Sequence, residues 1–217
     1  METKETARDA KRFALIALAV YVLFEAVTFP LHILRRRIPF LEGFPAIPLA
    51  VVFFSWVVPW LIVYKVERKD RASLGLTIGR GKYPSYALYA IIALILPAFF
   101  TGLDKGLVVE FIDQIVWIGL PEEAFSRGYL MTRLCNWLGN RKGLFLNGFL
   151  FGLGHITSLV SQHGLKYPLD DAFVGFSTFL GGLMFGYMYL RAKNIVPPAL
   201  VHVAANMYLS RIIGLLG

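Results

Sequence analysis

An all-α, polytopic bundle of membrane-spanning helices is the fold class this sequence predicts, and three observations predict it. Of the 217 residues, 57% are hydrophobic and 17% charged, with a mean hydropathy of +0.61, a composition typical of membrane proteins. The charges collect at the edges of long apolar runs. Several runs approach the about 20 residues that a helix rising about 1.5 Å per residue needs to cross roughly 30 Å of hydrocarbon.

Taken in order, the runs are Phe13 to Ile33, Pro45 to Val66, Pro84 to Thr101, Leu107 to Leu134, Leu144 to Val160, Phe173 to Leu190 and Ile195 to Ile213, which gives about seven spans. The first is long for the apolar core of a secretory signal, carries Glu25 and lacks a small-residue cleavage site, so it reads as a retained span. The fourth is expected to be interrupted or bent near Gly119 and Pro121, because proline removes an amide donor and disturbs the preceding turn. Carboxylates just after a fresh helix start would also gain from the helix dipole. Pro197 and Pro198 favour the start of the last helix. The four-residue spacing of Gly148 with Gly152, and of Gly182 with Gly186, lets helices approach closely. With no repeat, low-complexity tract or long linker, residues 1–217 read as one integral membrane domain, with a charged tail at 1–12 and a motif-bearing core at about 107–213.

Lysine and arginine in short loops set orientation, being richer on the cytoplasmic side. With the N terminus inside, the cytoplasmic segments hold Lys4, Arg8, Lys11 and Arg12, then Lys65, Arg68, Lys69, Arg71, Arg80 and Lys82, then Arg141 and Lys142, then Arg191 and Lys193. A cell membrane location follows as the expectation. Arg35, Arg36 and Arg37 break the pattern and are expected to cap the first segment or meet phosphate headgroups. The net charge of +8 flanks spans and forms no basic soluble domain, so membrane lipid, not nucleic acid, is the expected anionic partner. Cys135 is the only cysteine, which rules out an intrachain disulfide and suits a small residue at the membrane interface.

Ionisable groups at membrane depth mark function, because a charged side chain there costs several kcal/mol. Glu122 and Glu123 lie in PEEAFSRGYL, His155 ends NGFLFGLGH, and His202 and Asn206 lie in HVAAN. On a helix Glu123 and Arg127, four apart, form an ion pair in the favoured order, while Glu122 points about 100° away. The plainer reading has both glutamates neutralising Arg127. Asn147, Phe151 and His155 make a stripe down one helix face, and His202 and Asn206 make another. A single histidine is more often a packing residue, but two such faces beside a glutamate pair supply a base for water, donors for an oxyanion and a proton source.

These motifs resemble the CPBP family, the CAAX protease and bacteriocin-processing enzymes that include the type II CAAX prenyl endopeptidases. EEAFSR matches EExxxR, FGLGH matches FxxxH and HVAAN matches HxxxN, in order, over roughly Leu120 to Met207. The resemblance implies an intramembrane glutamic endopeptidase with a cytosol-facing cavity. In that reading Glu122 activates water, His155 assists it, His202 and Asn206 hold the oxyanion, and Glu123, Arg127 and Phe151 organise the site. Ser126 departs from the aromatic residue common before the arginine. The implied substrate is a membrane-associated peptide or lipidated protein, with no cofactor.

Three other readings compete. Glu122, His155 and His202 form a chemically adequate zinc set, although HExxH is absent. A non-catalytic immunity or peptide-binding protein would keep the fold without turnover. A solute carrier would also explain buried Glu and His, but no paired interrupted helices suggest an inverted repeat.

Overall fold

A computed structural model describes residues 6–38, 46–77, 82–98, 102 and 105–216, leaving out the side chains of 209–216. Lys4 and Arg80, and the expected span ends at Pro45 and Thr101, lie outside the described residues. Among those described there is no strand, and seven helices follow one another: α1 (Ala7–Arg37), α2 (Ala46–Glu67), α3 (Tyr83–Ile95), α4 (105–138), α5 (Asn140–His163), α6 (Pro168–Ala192) and α7 (Val196–Leu216). Helices α1, α2, α5 and α6 are long and apolar enough to cross a membrane, and α3 is a shorter apolar helix. The chain is an all-α membrane bundle.

Local chemistry sets the boundaries. Thr6 caps α1, its hydroxyl accepting the Asp9 amide, and the helix already runs from Ala7, so 7–12 is its charged first part. Helix α3 starts with Pro84 in its first turn and ends at Ile95, before Pro97, which lacks the amide needed to continue; the end of the expected span at residues 99–101 lies outside the described residues. Prolines also stand in the first turns of α6 and α7, where a missing amide costs nothing. Gly139, at φ +79°, makes the turn between α4 and α5, a conformation glycine adopts freely.

Of the interruption or bend expected near Gly119 and Pro121, the interruption is not found. Helical torsions continue through Gly119 and Leu120, and just before Pro121 the backbone register widens: the Leu120 amide reaches Ile115 O, five residues back. Such wide turns take up a proline's missing amide without ending a helix. Glu122 and Glu123 thus lie inside a continuous α4, and the dipole gain of a fresh start does not apply to them.

Lipid tails are as apolar as leucine, so packing of small side chains holds membrane helices together. Ala14 and Ala17 of α1 are fully buried and, with Val20 and Tyr21, join a core with Phe54 and Val63 of α2 and Phe125, Tyr129, Leu130 and Leu134 of α4. Helices α5 and α6 pack most extensively. There a Cβ on Gly152 would stand 2.5 Å from Gly175 O, and one on Gly182 would stand 3.1 Å from Gly148 Cα, which is the close approach the glycine spacing predicted.

Polar bonds tie each end. At one end Arg133 makes a bidentate pair with buried Glu67, at 3.0 and 2.8 Å, and donates to Ser73 O, while Thr77 bonds to Lys193 O and Asn194 to Thr77 O. At the other end Arg36 donates to Ser161 O at 2.7 Å and His163 lies 3.2 Å from Asp171. Arg36, in the last turn of α1, thereby satisfies a carbonyl in the last turn of α5, a partner on another helix and not the cap of its own segment that was expected.

Candidate active site

The wide turns of α4 bring both glutamates to the junction of α4, α5 and α7, where they meet different surroundings. Glu123 is fully buried. Its Oε1 lies 3.1 Å from Arg127 Nη1 and accepts from His202 Nδ1 at 3.1 Å. Glu122 keeps 31% of its side-chain surface open and lines a cavity of about 180 Å³. Its Oε2, like Glu123 Oε2, is buried without a hydrogen-bond partner among the described residues and lies 3.9 Å from His202 Nε2. The neighbouring carboxylates are therefore divided, one consumed by an ion pair and an imidazole, the other available.

Aromatic rings hold the cationic and imidazole groups in place. The Arg127 guanidinium sits 4.1 Å over the Phe151 ring and 5.5 Å over Phe185, with Nη2 at 3.4 Å from Gly182 O. His202 stacks on Phe185 at 5.0 Å and meets Phe151 edge-on at 5.9 Å. Phe151 also lies 4.6 Å from the His155 ring. One phenyl ring is thus common to Arg127, His155 and His202, and arginine over an aromatic face is favourable.

His155 Nδ1 lies 2.9 Å from Phe151 O. A carbonyl only accepts, so Nδ1 carries the proton and Nε2 is the free edge. His155 shares the cavity wall with Glu122, Phe125, Ser126 and Phe151. Asn206 is placed differently: it is exposed and its amide donates to Gln114 Oε1 on α4 at 3.1 Å. The structure brings Glu122, Glu123, Arg127, Phe151, His155 and His202 together and leaves Asn206 at the α4–α7 contact, away from the cavity wall. Among the described residues, no group of three His, Cys, Asp or Glu side chains is arranged to hold a metal ion.

Sequence reasoning missed three participants. Glu25 of α1 was left outside the site, yet it lines the cavity. Ser126, read as a departure from the family pattern, supplies the backbone oxygen and hydroxyl that accept from buried Asn147 at 2.9 and 3.2 Å. Gln114 gave no local signal. Only Glu25 could have been flagged earlier, as an acidic residue in the middle of an apolar run.

The fold and site define a helical membrane protein with a glutamate and histidine cluster at a cavity. Residues 104–208 match the model of the Rce1-like family, described as type II CAAX prenyl endopeptidases, which covers α4 through most of α7 and every motif named above. That family supports assignment as a membrane protease. No curated protein matches the chain, and no solved structure does.

Proposed function

We propose that the protein is an intramembrane endopeptidase in which Glu122 activates water to hydrolyse a peptide bond of a membrane-associated substrate. The observation that carries this reading is the division between the adjacent glutamates: Glu123 is fully buried between Arg127 and His202, whereas Glu122 keeps 31% of its side-chain surface open and lines the cavity. A base must be reachable by water, and of the two glutamates Glu122 is the one whose side chain keeps open surface and lines the cavity.

In this mechanism Glu122 takes a proton from a water molecule in the cavity while the water oxygen bonds to the substrate's carbonyl carbon. His155, presenting Nε2, orients that water. The oxyanion that forms is met by His202: Glu123 holds its Nδ1–H, so as an imidazolium its Nε2–H is the donor on the Glu122 side. Collapse of the tetrahedral species breaks the C–N bond, and the proton held by Glu122 passes to the leaving amine. Asn206 supports the oxyanion role through its bond to Gln114, which holds the His202 helix against α4. The cavity wall includes Phe24, Phe29, Val51, Phe125 and Leu150, a lining suited to an apolar or prenylated tail.

The test compares wild type, Glu122→Gln and Glu123→Gln in detergent on prenylated and leader-type peptides, after circular dichroism shows that each is folded. Glu122→Gln is expected to lower kcat by about 10² to 10⁴-fold, the usual contribution of a positioned base, and chelation is expected to leave wild-type cleavage intact. Normal cleavage by Glu122→Gln removes it as the base. Activity lost on chelation and restored by zinc replaces this mechanism with a metal-dependent one.

A further inference from the structure

Glu25 lies in the middle of α1 and has no part in the steps above, yet it faces the same cavity as Glu122 and His155. A carboxylate at that depth requires compensation. Thr157 Oγ1 donates to Glu25 Oε2 at 2.5 Å. One turn earlier on α1, the Tyr21 hydroxyl donates to Leu150 O at 2.9 Å. These two bonds dock α1 onto α5 on either side of His155. Gly154, the residue before His155, also lies against the carboxylate: a Cβ there would stand 2.9 Å from Glu25 Oε1. Glu25 and His155 line the same cavity from α1 and α5, and among the described residues no lysine or arginine forms an ion pair with Glu25.

We propose that Glu25 is a positioning residue for His155, the first helix supplying a fixed negative charge that keeps the imidazole's free edge turned into the cavity towards Glu122. Phe151 O fixes Nδ1 from within α5, and Glu25 acts on the ring from the opposing helix. The imidazole thereby shares its cavity with carboxylates from two other helices, and supporting groups of this kind orient a working side chain to the tolerance its chemistry needs. This inference rests on the endopeptidase reading.

Glu25→Gln separates charge from docking, because the amide oxygen still accepts the Thr157 bond. With whichever peptide the wild type cleaves, kcat is expected to fall about tenfold while KM stays within about twofold and thermal unfolding is unchanged. In a His155→Ala background the same change is expected to cause no further loss, since residues acting through one another are non-additive. A readout independent of turnover is the carbethoxylation rate of His155, followed by mass spectrometry. It is expected to change at least threefold in Glu25→Gln, with His163 and His202 unaltered, because imidazole reactivity follows the charge facing it. Equal fractional losses in the two backgrounds, or an unchanged His155 rate, overturn the assignment. If Glu122→Gln cleaves normally the endopeptidase mechanism falls instead, and the His155 rate still decides the role of Glu25.

Discussion

Replacing Arg127 by methionine removes the cation from a fully buried pair and leaves its partner in place. Both side chains have no exposed surface, with 3.1 Å between Arg127 Nη1 and Glu123 Oε1. Stranding one member of such a pair costs about 3–5 kcal/mol, and loss of the guanidinium from the Phe151 face at 4.1 Å adds about 1–2 kcal/mol. His202 remains bonded to Glu123 and as an imidazolium compensates part of the charge, so the expected loss is about 3–4 kcal/mol. Reversible unfolding in mixed detergent micelles measures it. The decisive comparison is Glu123→Gln/Arg127→Met, which removes both charges and is expected to be more stable than Arg127→Met alone, with a coupling of about 2 kcal/mol. A loss below about 1 kcal/mol for Arg127→Met, or costs that simply add, would refute the claim that the pair is a desolvated unit.

Two further outcomes follow from packing and hydrogen bonding. Gly152→Leu places its Cβ at 2.5 Å from Gly175 O, so α5 and α6 must separate; a loss of about 1–3 kcal/mol and a lower thermal midpoint are expected in the same micelles. Arg133→Lys cannot reproduce the two-point contact with Glu67 or the bond to Ser73 O, and is expected to cost about 1–3 kcal/mol and to speed proteolysis in the loop after α2.

The order and approximate extent of the helices were legible because hydrocarbon thickness imposes a length that apolar runs display directly. The predicted run Leu144 to Val160 lies inside Asn140–His163, and Phe173 to Leu190 lies inside Pro168–Ala192. Two details were not legible for the same reason: proline acts through hydrogen bonds whose partners depend on backbone register. Pro97 ends α3, whereas Pro121 is absorbed by the wide turns of α4, and no property of either residue alone distinguishes these outcomes. The charge pattern held no sign of the partner of Arg36, a carbonyl 125 residues away.

Legibility of the site stops at the same boundary between local and distant contacts. The ion pair of Glu123 with Arg127, four apart on one helix, could be read from spacing, and so could the separation of Glu122 onto another face. Which of two carboxylates stays free depends on what approaches from α7, and the geometry answers it: His202 arrives with Nδ1 on Glu123, not on Glu122. The same rule explains Asn206. Its spacing from His202 put both on one helix face, but that face meets the glutamates at one level and Gln114 at the next, so a shared face did not become a shared site. A motif therefore fixes which residues travel together along a helix, and the helices packed against it decide which of them meet the cavity.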